Sequence, residues 1–390
     1  MTALFSPYTI RGVEFRNRLW VAPMCQYSAQ DGFPGEWHHV HLAQFASGGA
    51  GLVISEATAV SPEGRISPED TGIYSDEQRD AWAPIVTAIH ARGAAAGIQL
   101  AHAGRKASTY SPFSGHRGTV PAEAGGWEAV APSAIAFEGY ATPRELTLDE
   151  IDALVASFAS AARRAVEAGF DVLEVHAAHG YLLHEFLSPL SNHRTDEFGG
   201  PLVNRARLLL RVVAAVREAA GDLPVFVRFS GTDWAEGGWD IEQTAQVAVW
   251  AAEAGADFFD ISSGGLVAHQ DITVGPGYQV PLARRVRDEG LAVSAVGLIE
   301  TGAQAEQVLQ DGDADAIMAA GKPHGICAYG VEALNVLRIE KGFITHSEID
   351  GRTTPDDVGL GKMFSTQKPD FIGKRLSSRF GLTAADRPQL

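Results

Sequence analysis

A few short runs of this sequence concentrate side chains that could do chemistry. His176 and His179 are three residues apart in HAAHGY, with Tyr181 two residues on. Two readings beyond ordinary polar histidines are open. A zinc site would need a third protein ligand, and none is suggested nearby. Alternatively, two hydrogen-bond donors converge on one oxyanion and a phenol stands beside them as a proton donor. A phenol titrating near 10 suits protonation of a developing carbanion. A second run reads Pro23-Met24-Cys25-Gln26-Tyr27. Cys25 is there either a small buried hydrophobe or a functional thiol. Gln99, His102, Arg105 and Lys106 form a third polar group. Arg228 lies in the apolar run PVFVRFS, where it needs a buried partner; an anionic or electron-rich cofactor would serve. Glycines recur after later apolar runs, at Gly264, Gly265, Gly297 and Gly321, the last followed by Lys322. They are plain turns or backbone cradles for a phosphate.

These groups need a scaffold that presents them together. Short apolar runs alternate with longer amphipathic stretches. Strands are expected at LWVAPM, LVISEATAV, GIQLAHAG, DVLEVHAA, PVFVRFS, DFFDISSG, LAVSAVG and ADAIMAA. Helices are expected at 37–49, 76–92, 148–168, 204–220, 241–254, 278–289 and 303–311. Eight strands, most followed by a helix, predict a parallel α/β sheet closed as a (β/α)8 TIM barrel. An open doubly wound sheet would carry a glycine-rich turn after its first strand, where APMCQYSA stands instead. In a barrel, catalytic groups sit at the C-terminal ends of strands, where the polar clusters fall. The stretch 105–145, rich in Gly, Pro, Ser and aromatics, is too long for a tight loop and reads as a capping subdomain after the third strand.

Composition excludes several classes. The formal net charge is −17 over 390 residues, which offers no basic face for nucleic acid. Two cysteines cannot supply the four thiolates of an iron–sulfur cluster, nor a disulfide framework. No metal site is expected. No run is apolar enough to span a membrane, and the N-terminus lacks the pattern of a signal peptide, so a cytoplasmic location is expected.

Taken in order, APMCQYSA, GGAGLVISEATAV, GIQLAHAGRKAS, APSAIAF, GFDVLEVHAAHGYLLHEFLSPLSNHRTDEFGGPLVNR, VFVRFS and GYQVP resemble old yellow enzymes. The likeness runs from Phe5 to about Ala316 and is specifically to the thermophilic-like subclass that includes bacterial xenobiotic reductases. It implies FMN, NADPH or NADH as electron donor, and reduction of small-molecule alkenes activated by a carbonyl or nitro group. Hydride would come from flavin N5 and a proton from Tyr181. Carried over residue by residue, it puts Pro23, Met24 and Cys25 along the flavin, with Cys25 tuning it and touching substrate. Ala57 and Gln99 would contact the ring, and Arg228 would stabilise negative charge near N1. His176 and His179 would hold the substrate oxygen, and Tyr27 would line the pocket. Gly264, Gly265 and Gly297 would surround the ribityl phosphate. A homo-oligomer, dimer or tetramer, is also implied. In the subclass a neighbouring subunit's tail brings an arginine into the site; Arg375 and Arg379 are available, but no motif assigns them.

The family usually continues with Gly-Arg where this chain has Gly321-Lys322. From about Ile317 the sequence resembles the aminomethyltransferase-like region of sarcosine oxidase α subunits, relatives of the glycine-cleavage T protein. The expected organisation is a barrel over 1–341, completed by this foreign segment, and a C-terminal extension over 342–390. Ala314 to Ala320 would be the eighth strand, and Tyr329 to Lys341 the last helix. The competing reading is a folate-dependent aminomethyltransferase-like protein or a bifunctional fusion.

Overall fold

A computed structural model describes residues 3–310 and 327–328. A hairpin comes first, β1 (Tyr8–Ile10) and β2 (Val13–Phe15), joined through Arg11 and Gly12, both at positive φ. The Arg-Gly pair between two alternating apolar triplets is the signal sequence reasoning overlooked. The main sheet follows: β3 (Trp20–Val21), β4 (Leu52–Ala59), β5 (Ala95–Ala101), then, after the short strands β6 (Val130–Ala131) and β7 (Arg144–Glu145), β8 (Val172–Ala177), β9 (Val225–Ser230), β10 (Phe258–Ser262), β11 (Val293–Ala295) and β12 (Cys327–Ala328). The eight strands β3, β4, β5, β8, β9, β10, β11 and β12 pair in parallel in chain order. With helices between them, this is the (β/α)8 barrel arrangement.

Those helices are α1 (Glu36–Ser47), α2 (Asp76–His90), α3 (Leu148–Ala168), the short α4 (Leu182–Leu187), α5 (Leu202–Ala220), α6 (Ile241–Glu253), α7 (Val280–Arg287) and α8 (Gly302–Gln310). Their ends carry their own signals. In α3, the Thr147 hydroxyl accepts from the Glu150 N–H, and Gly169 at φ +94° stops the helix. Ile151, Leu154, Phe158, Ala161 and Ala165 make the face that α3 buries.

The barrel interior is graded, and that grading positions the site. Alternate residues of a strand share a face. On β8 these are Val172, Glu174 and His176; on β9, Phe226, Arg228 and Ser230; on β10, Phe258, Asp260 and Ser262. Among the described residues, the N-terminal end is filled by an apolar cluster. Phe226 and Phe258 pack with Trp20, Leu52 and Val172, and the hairpin adds Tyr8, Ile10 and Phe15. Ring centroids lie 4.7 Å apart for Phe226–Phe258 and 5.1 Å for Trp20–Phe258. Each such pair contributes about 1 kcal/mol beyond the area it buries. This plug secures the strand starts and leaves the opposite ends for polar groups.

The segment after β5 is an irregular cap, as expected, and β6 pairs with β7 inside it. Arg105 ties it down: its backbone N–H donates to Glu185 Oε1 at 2.9 Å and its guanidinium to the Leu266 carbonyl at 2.7 Å. The expected eighth strand at 314–320 and final helix at 329–341 lie outside the described residues; the strand seen beside β11 is Cys327–Ala328. Among the described residues, no helix is long and apolar enough to cross a membrane.

Candidate active site

The register across β5, β8, β9, β10 and β11 builds a buried polar layer above the plug. Gln99 faces Glu174, His176 faces Arg228, Arg228 faces Asp260, and Asp260 faces Ser294. Gln99 Nε2 donates to Glu174 Oε1 at 2.8 Å, Arg228 Nε lies 2.9 Å from Asp260 Oδ2, and the Ser294 hydroxyl donates to Asp260 Oδ1 at 2.9 Å. The partner that Arg228 had to have is thus supplied by the protein itself. Burial, and then the nearby Asp260, pushes the Glu174 carboxyl up to about 8.

His176 belongs to this layer, and His179 lies beside it, two residues beyond the end of β8. Nε2 of His176 and Nδ1 of His179 are 3.5 Å apart. An oxygen about 2.9 Å from each nitrogen fits that fork. The backbone of His179 is at φ +59°, a conformation that costs about 1–3 kcal/mol in a residue with a β-carbon. Four contacts hold it there. Its N–H donates to Ser230 Oγ at 2.8 Å, its carbonyl accepts from Lys106 Nζ at 2.8 Å, and its Nε2 lies 2.8 Å from Ser262 Oγ. Gly265 packs so close that a β-carbon there would fall 2.6 Å from the His179 carbonyl oxygen. Burial, and then the Arg228 charge, holds both imidazoles well below their usual range. Both are therefore neutral at pH 7 and act as single-proton donors. Nδ1 of His176 is buried without a hydrogen-bond partner among the described residues.

Tyr181 caps α4 and packs edge-on to His176, with ring centroids 5.1 Å apart. Lys106 Nζ lies 4.8 Å from the Tyr181 ring centroid. Cys25 and Tyr181 both pack on an apolar cluster that includes Ala57, Ile66 and Ala101. The turn Pro23–Tyr27 is half-buried, with Tyr27 at φ +50°, and Glu56 fixes it by accepting the Gln26 N–H at 3.0 Å. Burial, and then Cys25, pushes the Tyr181 phenol well above its usual range. Tyr181 thus holds its proton at any working pH.

Gly264 and Gly265 lie at φ +71° and +89°, and Gly297 at +105°. Gln279 links these loops: its Oε1 accepts from the hydroxyls of Ser262 and Ser263, and its Nε2 would be 2.7 Å from a β-carbon at Gly297. So the structure brings Cys25, Tyr27, Ala57, His176, His179, Tyr181, Arg228 and Gly265 around one mouth. Gln99 lies a layer below, held by Glu174. Met24 contributes its carbonyl to Gln26 Nε2 at 2.8 Å. Gly321 and Lys322 lie outside the described residues. Sequence reasoning passed over Glu56, Glu174 and Asp260, each a carboxylate within an apolar run, the same signal that singled out Arg228, and over Asp70 in the polar loop SPEDTG.

The NADH:flavin oxidoreductase / NADH oxidase family model matches residues 3–323. The chain belongs to that family. An NADPH dehydrogenase of Bacillus velezensis is 47% identical over 321 residues, 81% of this chain and 90% of that protein. An NADH:flavin oxidoreductase of Gibberella zeae is 46% identical over 331 residues, 80% of each. The old yellow enzyme homologue from Zymomonas mobilis superposes with a TM-score of 0.69 at 31% identity, covering 88% of this chain and 94% of that one. The protein is an NAD(P)H-dependent flavin oxidoreductase of the old yellow enzyme type, and its cofactor is FMN. The mouth of the barrel fits that group: Nδ1 of His176 is buried there with no hydrogen-bond partner among the described residues, and Gly264, Gly265 and Gly297 are held at positive φ against Gln270, His179 and Gln279. A GCVT N-terminal domain model matches residues 303–368, in line with the second resemblance of the tail.

Proposed function

We propose that this flavin oxidoreductase is an ene-reductase, acting on small alkenes activated by a carbonyl or nitro group. The observation that carries the reading is the fork of two neutral histidines beside a protonated tyrosine. Pro23, Met24, Cys25, Ala57 and Gln99 would hold the FMN ring, Arg228 would offset negative charge on it, and Gly264, Gly265, Gly297, Gly321 and Lys322 would hold its phosphate. FMN, when bound, supplies the hydride.

The chain's own residues do the rest. His176 and His179 donate to the substrate oxygen and stabilise the charge that gathers there as the alkene becomes enolate-like. Removing one such donor typically costs about 100- to 1000-fold in rate. Neutral imidazoles suit this task, because a donor that kept its proton tightly yet carried no charge would not trap an anionic product. Tyr181 gives its proton to the carbon next to the activating group, and Tyr27 lines the same pocket.

Support for the folate-dependent alternative is confined to residues 303–368, and no described side chain adds to it. Tetrahydrofolate binding by the whole chain would favour it. The ene-reductase reading is tested by incubating the FMN-loaded protein with NADPH and 2-cyclohexenone. Cyclohexanone formed in proportion to NADPH consumed supports it. NADPH oxidation that yields only peroxide, across cyclic enones and nitroalkenes, rejects it.

A further inference from the structure

Behind the turn that carries Cys25 lie two carboxylates that the proposed chemistry does not use. A ligand atom each from Cys25, Glu56 and Asp70 lies within 4.8 Å of the others. Glu56 is engaged on both oxygens, one accepting the Gln26 N–H at 3.0 Å and one 3.0 Å from His38 Nε2. Asp70 is 1% exposed; its Oδ2 accepts the Ser67 N–H at 2.5 Å. Its Oδ1 is buried with no hydrogen-bond partner among the described residues. A buried carboxylate half-satisfied in this way is costly to keep as an anion.

We propose that Asp70, with Glu56 beside it, holds Cys25 as a neutral thiol. The cysteine at the mouth of the barrel is then a packing and hydrogen-bonding group and not a nucleophile. A thiolate forming at Cys25 would meet two carboxylate oxygens at close range and the phenols of Tyr27 and Tyr181, with Tyr140 next to both. The cations nearby face other partners: Lys106 Nζ donates to the His179 and Gly265 carbonyls, and His38 lies against Glu56. Burial, then Asp70, then Glu56 pushes the Cys25 thiol well above its usual range, outweighing a backbone hydrogen bond at Ala57. Asp70 itself is pushed up to about 7, so on raising the pH it loses its proton before the thiol does and is already charged when the thiol titrates.

The consequence is chemical resistance. Oxidation by hydrogen peroxide requires the thiolate: its sulfur attacks one oxygen, a sulfur–oxygen bond forms, the O–O bond breaks and hydroxide leaves. Sulfur is oxidised to the sulfenic acid and peroxide is reduced. Alkylation by iodoacetamide needs the same thiolate. Suppressing it slows both reactions.

The test uses the full FMN-loaded chain and does not depend on any alkene being reduced. Cys25 and Cys327 peptides are followed by mass spectrometry after iodoacetamide or hydrogen peroxide treatment between pH 6 and 10. Asp70→Asn keeps the shape, removes the charge and can still accept the Ser67 N–H. One charge at this distance is sufficient for a change of about tenfold or more in the thiolate fraction at an effective dielectric near 20. The expected result is Cys25 modified at least about tenfold faster at pH 8 in Asp70→Asn, with its inflection about one pH unit lower or more, and Cys327 unchanged. Equal Cys25 rates and inflections in the two proteins overturn the proposal. If that variant does not fold, Asp70→Ser, which also removes the charge, is read in the same way, and a wild-type inflection at the ordinary thiol value near 8.5 overturns the proposal in either case.

Discussion

Replacing His176 or His179 by alanine removes one arm of the oxyanion fork, and a phenolic ligand reads the loss directly. A phenolate oxygen seated between nitrogens 3.5 Å apart accepts one hydrogen bond from each. Hydrogen bonds to a charged group contribute about 1.5–3 kcal/mol, so each substitution should weaken p-hydroxybenzaldehyde binding roughly 10- to 150-fold. The assay is titration of the FMN-loaded protein, following the long-wavelength charge-transfer band. The pH dependence gives a second, independent check. Both imidazoles are held well below 6.5, first by burial and then by Arg228, so neither changes charge between pH 6 and 9. Affinity should therefore rise with pH only until the ligand's own phenol has ionised, and then level off. Imidazoles that titrated near 6.5 would add a gain in phenolate affinity as pH fell through that value. Unchanged affinity in both alanine variants, or a histidine-like break near 6.5 in the wild type, would refute the reasoning.

Tyr181→Phe should slow the oxidative half-reaction with an enone much more than reduction by NADPH, because the hydroxyl is needed only for protonation; stopped-flow traces showing equal slowing of both would make Tyr181 structural. Arg228→Leu should cost about 3–5 kcal/mol in chemical denaturation, since it strands Asp260, which is 1% exposed and 2.9 Å from the guanidinium. Adding Asp260→Asn should recover part of that loss, and a single-variant cost under about 1 kcal/mol would show the ion pair to be dispensable. Lys322→Ala should raise the FMN dissociation constant if Gly321-Lys322 serves where the family has Gly-Arg. Unchanged affinity, or proteolysis near residue 318 that leaves a stable flavoprotein, would contradict completion of the barrel by the foreign segment.

How much of this was legible in the sequence follows the physics of each element. The strand cores were, because runs such as VFVRFS and FFDIS bury every residue and read as continuous apolar stretches. Helix α3 was legible to its last residue, because Thr147 and Gly169 mark its ends. The strand-end clusters around Cys25, His176, Tyr181 and Arg228 stood out as polar groups in apolar surroundings. What pairs with what was not legible. That Arg228 meets Asp260, or that Gln99 meets Glu174, is set by strand register, and no local pattern encodes register between strands some 30 to 75 residues apart. Asp70 was missed for a related reason: SPEDTG reads as an ordinary polar loop until its fold against β4 and the Cys25 turn buries it. The short α4 escaped because six residues are too few for a helical period to show.

The most direct test of the account is an anaerobic half-reaction. The flavin of the loaded protein is reduced with NADPH, the excess donor is removed, and 2-cyclohexenone is added while the flavin absorbance is followed. The account predicts full return of the oxidised spectrum with one cyclohexanone formed per flavin, and a slower return in His176→Ala, His179→Ala and Tyr181→Phe. A reduced flavin that persists in the presence of cyclic enones and nitroalkenes, yet reoxidises at once on admission of air, would contradict it.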